Sequence, residues 1–200
     1  AYRSVVERYD LHAIDLDIEN ADIADTPSIE RRARAVATVQ AERAAAGDEL
    51  DVWLTLPASR SGLTDDGVAL VTATIDGGVD LTGVNLMTMN FGSADEPTSD
   101  MLAATKAALE AAVGQVADIY RGQGVALADS ERWTKLGATP MIGQNDVIGE
   151  VFTLDDAKGL ADFAMAKGLG LVSTWSLNRD APCSASFAYV MVLSNTCSSV

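Results

Sequence analysis

Short apolar runs alternate with longer stretches of helical periodicity along the chain, and this alternation restricts the fold more than any other feature. Ala13-Ile14-Asp15-Leu16-Asp17-Ile18-Glu19 reads as a strand, and Ser28 to Ala46 reads as a helix opened by Thr26-Pro27 and ended at Gly47. Val52-Trp53-Leu54-Thr55-Leu56 is a second strand, Thr64 to Ile75 a short helix, and Val84 to Met89 a third strand. A long helix is predicted from Ser99 to Tyr120, with Ser99 as its N-cap, because Met101, Leu102, Leu109, Val113, Val116 and Tyr120 recur at helical spacing. A fourth strand near Leu136 to Ile142, a helix from Asp155 to Ala166 and a fifth strand from Leu169 to Trp175 complete the series.

Such alternation builds parallel βα units, either in a doubly wound sheet or in part of a (β/α)8 barrel. No GxGxxG or GxxxxGKS loop follows the first strand, which weakens the nucleotide-binding option. Polar residues gather beyond the C-terminal ends of the strands, at Glu19, Ser59, Asn90, Asn145 and Asn178. Barrel enzymes place their chemistry there, so the barrel is preferred.

Charge and composition remove several partners. With 14 Lys+Arg against 29 Asp+Glu among 200 residues, the chain carries −15 and repels phosphate backbones, so nucleic acid is not expected. No apolar run reaches the ~20 residues of a membrane span, and no basic, apolar leader opens the sequence, so any signal peptide is read as removed or not included. Metal binding is disfavoured, since His12 is the only histidine and no CxxC pair exists. The two cysteines, Cys183 and Cys197, flank the apolar stretch Phe187 to Leu193. A disulfide between them is the favoured reading and implies an oxidising, extracellular compartment; two buried thiols are the alternative.

The first strand carries the chemistry. Asp15, Asp17 and Glu19 sit two residues apart and share one face, while Ile14, Leu16 and Ile18 share the other. Inside a barrel the acidic face would point inward. Carboxylates crowded in that space raise one another's pKa, which leaves a group able to donate a proton near neutral pH. An exposed amphipathic edge strand is the plain alternative.

His12-Ala13-Ile14-Asp15-Leu16-Asp17-Ile18-Glu19 resembles the DxxDxDxE signature of glycoside hydrolase family 18, the chitinases, with His12 in place of the first acid. Leu54-Thr55-Leu56-Pro57 followed by Ser61-Gly62-Leu63-Thr64 is similar to a stretch of a bacterial subgroup of that family. Val84 to Gly92 resembles its VNxMTMDYG, Thr139 to Asp146 its TPMIGxND, and Trp175 to Asp180 its WSxNRD. The matches follow the family's order, and residues 1–200 are read as one partial catalytic barrel covering about strands 4 to 8. The first three strands, the family's SxGG motif and the last helix find no counterpart. The expected form is the C-terminal part of a longer secreted chitinase, completed by the missing half-barrel or by a second copy.

The resemblance implies retaining, endo-type cleavage of β-1,4 linkages in chitin or chito-oligosaccharides by substrate assistance, without metal or cofactor. The sugar's own acetamido oxygen attacks the anomeric carbon in place of a protein nucleophile. Glu19 would protonate the leaving oxygen and later activate water. Asp17 would orient the acetamido group, and Asp15 would share a proton or hydrogen bond with Asp17. Trp175 would floor the −1 sugar, with Met87, Met89 and Asn90 lining the site. Asn90 and Phe91 stand where the subgroup has Asp and Tyr, so Asn90→Asp is expected to raise turnover or shift its pH profile. His12 is expected to be a bridging loop residue. A chitin-binding lectin, an endo-β-N-acetylglucosaminidase acting on N-glycans and a chain inert by itself are the competing readings. A lectin of this type would typically lack the acid, and Glu19 is retained.

Overall fold

A computed structural model describes residues 1–184 and 195–198. In chain order its elements are α1 (Tyr2–Tyr9), β1 (Ala13–Asp17), α2 (Thr26–Ala45), β2 (Asp51–Ser59), β3 (Gly62–Leu63), α3 (Asp65–Asp76) and β4 (Gly83–Met87). There follow α4 (Met101–Gly122), α5 (Asp129–Thr134), β5 (Leu136–Thr139), β6 (Gly143–Gln144), β7 (Val151–Phe152), α6 (Leu154–Lys167) and β8 (Leu171–Val172). The segment 187–193 between the cysteines lies outside the described residues.

The expected alternation holds. β1, β2, β4, β5 and β8 form one parallel sheet in that order, with β3 added to β2 as an antiparallel hairpin arm. A βα crossover connects each strand of this path to the next, the arrangement of a partial (β/α)8 barrel. Beyond β5 the strand direction continues through an isolated bridge between Met141 and Trp175.

The sheet's outer face is a continuous apolar surface. Val52, Leu54, Leu56, Val84, Leu86, Leu136 and Ala138 are no more than 1% exposed, and they pack with Ile29, Val36, Leu70, Leu109 and Val116 from α2, α3 and α4 in a single core. Side chains of the opposite parity face inward. Near the N-terminal ends of the strands that face is filled by Trp53, whose indole takes the room left by Gly83; a Cβ there would lie 2.4 Å from the ring.

The helices start where side chains can satisfy their free N–H groups. Asp25 accepts from Ser28 N at the start of α2, with Pro27 in its first turn. Thr64 accepts from Gly67 N at the start of α3. For α4 the cap is Asp100 rather than Ser99: its carboxylate accepts from Ala103 N at 2.8 Å, a charge-assisted bond that a serine one residue earlier does not make. At α6, Thr153 and Asp156 bond reciprocally to each other's backbone N–H groups, and Gly168 ends the helix in the left-handed conformation.

Five short elements were not anticipated: α1, β3, α5 and the two strands of the β6–β7 hairpin. Each is too brief to show a period. α1 is held to α2 by Arg3, whose Nε donates to Glu42 at 2.8 Å. His12 stands at the N-terminal end of the first strand, 3.0 Å from Asp48 Oδ1, with Arg43 beside both. It therefore bridges loops, and its departure from the acidic signature falls at the end of the strand away from Asp17 and Glu19.

Candidate active site

The inward parity of β1 and its extension aims Asp15, Asp17 and Glu19 to one side, as their spacing requires. β1 ends at Asp17, and Glu19 lies just beyond it as the N-cap of a short 3-10 turn, Asn20–Ile23. All three carboxylates are exposed, and β1 is an edge of the sheet among the described residues. Even so, partial burial holds the Asp17 carboxyl above its ordinary value, and the charges of Glu19 and Asp15 push it further the same way.

Asp17 and Glu19 form one wall of a cavity of about 510 Å³. Met87, Met89 and Met141 supply its apolar base, and Trp175 and Asp146 stand on the other side. The strand order thus brings the two ends of the sequence to opposite sides of one cleft at the C-terminal ends of the strands. Asp15 does not line this cavity; it lies one inward position deeper, and both its oxygens are 2.8 Å from the Thr55 hydroxyl, which donates to them.

Trp175 is 47% exposed, so its ring face is available to a ligand. Its backbone is fixed: Trp175 N donates to Pro140 O, Trp175 O accepts from Ile142 N, and the Trp175–Ser176 peptide is cis. Arg179, 1% exposed, braces the same segment by donating through Nε and Nη2 to Ile142 O and through Nη2 to Gln144 O.

Asn90 clamps two loops together. It has a left-handed backbone, φ 52°. Its Oδ1 accepts from Asp146 N and Val147 N, while its Nδ2 donates to Asp146 Oδ2 at 3.1 Å. An aspartate at position 90 would keep the two acceptor bonds and set a carboxylate against that of Asp146.

Of the other polar residues noted at the strand ends, Asn145 is fully buried. It bonds Met141 O and Gly143 O through its amide nitrogen and accepts from Asn90 N. Ser59 and Asn178 do not line the cavity. Two features escaped the sequence reading. Glu150 is 0% exposed and accepts from Phe91 N, Gly92 N and Thr98 N, gathering the loop after β4 onto the β6–β7 hairpin. Gly92 permits this approach, since a Cβ there would lie 2.7 Å from Glu150 Oε1. The other is a row of inward polar side chains at successive strands, Thr55, Asn85, Thr139 and Ser173, joined by hydrogen bonds. Their inward polar positions were the available signal.

Cys183 and Cys197 are joined in a disulfide, as favoured from the sequence. Among the described residues there is no cluster of side chains suited to a metal ion, and no helix is long and apolar enough to cross a membrane.

Comparison with known proteins places this geometry. No protein-family model matches the chain. It is 38% identical over 184 residues to a protein of Escherichia coli (strain K12) named "probable bifunctional chitinase/lysozyme", and 37% identical over 184 residues to endochitinase 11 of Metarhizium anisopliae. The matched segments cover 90% of this chain in both cases, but only 20% and 35% of those relatives. Crystal structures of the catalytic domain and of active domain 2 of a chitinase from Pyrococcus furiosus superpose with a TM-score of 0.82 at 30% identity, over 99% of this chain and 58% of theirs. A further structure of that active domain 2 is a complex with chito-oligosaccharides. The half-barrel and these relatives agree with the motifs: the chain is similar to part of the catalytic domain of chitinases and spans less than two thirds of the length of the relatives it matches.

Proposed function

We propose that this chain supplies the acid-bearing part of a chitinase, cleaving β-1,4 linkages between N-acetylglucosamine units with retention. The observation that carries the reading is the single cleft in which Asp17 and Glu19 oppose Trp175 across a methionine base. In this reading the Trp175 face packs on the C–H surface of the −1 sugar and fixes its orientation. Glu19, at the outer end of the acidic row, gives its proton to the glycosidic oxygen as the bond to the anomeric carbon breaks. The acetamido oxygen of the same sugar closes on that carbon, and Asp17 holds the acetamido N–H and steadies the positive ring that forms. Glu19, now a carboxylate, takes a proton from water as the ring opens, and the configuration at the carbon is restored.

Asp17 suits its part because its environment favours the protonated form, which lets it exchange a hydrogen bond between neighbouring acids. The exposed carboxylates and the unpaired outer edges of β1 and β8 among the described residues support a further reading: other strands complete the cleft, from the rest of a longer chain or from a second copy. The disulfide supports an extracellular setting.

The test follows the product by proton NMR during hydrolysis of a chito-oligosaccharide. The reading predicts that the first-formed reducing end is the β anomer and that a substrate with its −1 sugar de-N-acetylated is left uncut. An α anomer formed first, or equal cleavage of the de-N-acetylated substrate, would overturn it. A carbohydrate-binding role without catalysis predicts no product at all, and the retained Glu19 argues against that reading.

A further inference from the structure

The segment 195–198 is anchored at one end and opens onto the cleft at the other. Cys197 and Ser198 are buried, and Cys197 is bonded to Cys183. Ser198 N donates to Ala181 O at 3.1 Å, and Ser198 O accepts from Gln144 N at 3.1 Å. Gly143 makes room for this docking: its backbone is left-handed, φ 70°, and a Cβ there would overlap Ser198 O. Buried Arg179 fixes the receiving strand by donating to Ile142 O and Gln144 O. Ala181 and Cys183 follow Trp175 in the chain, and Gln144 precedes Asp146, so the anchors belong to the wall of the cleft that carries Trp175 and Asp146. Asn195, two residues before Cys197, lines the cavity itself. It is exposed, and its side-chain amide has no hydrogen-bond partner among the described residues. Asn90 and Asp146, by contrast, spend polar atoms on each other, since Asn90 donates to the Asp146 carboxylate and accepts from Asp146 N and Val147 N.

We propose that Asn195 is a substrate-binding residue of the cleft and that the Cys183–Cys197 disulfide positions it there. The inference deepens the glycosidase reading above and rests on it for the ligand, a chito-oligosaccharide. A primary amide offers two hydrogens and two lone pairs, which suit the hydroxyl and acetamido groups of an N-acetylglucosamine unit. Trp175 supplies an apolar face for a sugar ring, and Asn195 supplies directed polar contacts within the same cavity. Two backbone hydrogen bonds at Ser198 are a weak hold against the conformational freedom of the residues that lead to them. The covalent link at Cys197 removes that freedom and confines Asn195 to the reach of two residues. Reduction by a dithiol undoes this: two electrons and two protons pass to the broken S–S bond, Cys183 and Cys197 become thiols, and the dithiol closes to its own disulfide. Glu19, Asp17 and Trp175 lie outside the anchored segment, so the change falls on affinity rather than on bond cleavage.

The experiment is a calorimetric titration of a chito-oligosaccharide into the Glu19→Gln form, which separates binding from cleavage. Asn195→Ala should weaken binding about 3–10-fold, the worth of a typical hydrogen bond. Reduction with dithiothreitol, verified by intact mass after alkylation, should weaken it by a similar factor. The two together should do no more than either alone, because both remove the same contact. Cys183→Ala with Cys197→Ala should match the reduced protein. Asn178→Ala, at an exposed asparagine outside the cavity, should leave the affinity unmoved. With Glu19 in place, Asn195→Ala should raise KM more than it lowers kcat. Asn195→Ala keeps the disulfide, so it decides the binding role even where the cysteine variants fail to fold. An affinity indifferent to Asn195 would overturn the proposal, as would a reduction effect equally large in Asn195→Ala. Unfolding on reduction, seen by circular dichroism, would overturn the positioning role. Binding that depends on Asn195 in a protein that cuts nothing would instead refute the functional reading alone.

Discussion

The two faces of the parallel sheet are written by the same strands and obey different rules. On the outer face, Leu54, Leu56, Leu86 and Leu136 are fully buried against helices, and each contributes by volume and area removed from water. On the inner face, the neighbouring residues Thr55, Asn85 and Thr139 contribute by the hydrogen bonds that join them to one another and to Asp15. Because side chains alternate along a strand, one residue's shift in register separates folding from chemistry. A substitution on one face should therefore leave the signature of the other intact.

The largest effect should come from the outer face. Leu86→Ala, at a fully buried position of β4, should cost about 2–5 kcal/mol of unfolding free energy, read by denaturant titration. The pH profile of whatever folded enzyme remains should keep its shape. A changed profile with unchanged stability would break the division between the faces.

Glu150 sharpens it, since it is fully buried and joins loops at the cleft without being exposed in it. Glu150→Gln replaces one acceptor by an N–H facing a backbone N–H and should cost about 1–3 kcal/mol. KM should rise more than kcat falls, because the loop that carries Asn90 and Phe91 loses an anchor.

The smallest effect on stability belongs to the inner face and has the opposite sign. The folded state holds Asp17 above its ordinary 3.8, so folding favours its protonated form. That contribution is complete below the unfolded value and is lost as pH rises through the raised one. Asp17→Asn removes the loss: the variant should be slightly more stable at neutral pH, with the gain vanishing below about the ordinary value of 3.8. Turnover should meanwhile fall. Equal stability difference at all pH values would show that Asp17 is not perturbed by the fold.

The outer face was legible in the sequence because its signal is local. Apolar residues at alternate positions of Val52 to Leu56 and Val84 to Met87 give strands, and the 3.6-residue period of Met101 to Tyr120 gives a helix. The acidic row was legible for the same reason, whereas the place of Trp175 at the cleft came only from the resemblance of its motif. Glu150 was not, because a buried carboxylate is explained only by the three N–H groups that fold around it, and these lie more than fifty residues earlier in the chain. The inward polar row lay between these cases: polar residues at inward parity on successive strands were visible, but the hydrogen bonds that join them were not. The N-cap of α4 moved from Ser99 to Asp100 because neighbouring residues with similar capping ability differ only in which one takes the extended backbone.

The central claim is that Glu19 donates the proton that breaks the glycosidic bond, and the most direct measurement is turnover of a saturating chito-oligosaccharide by Glu19→Gln alongside its binding affinity. The account predicts a loss of kcat on the order of 10²–10⁴-fold with affinity essentially unchanged, since glutamine keeps the shape and hydrogen-bonding reach but has no proton to give. Unchanged turnover in Glu19→Gln would contradict it.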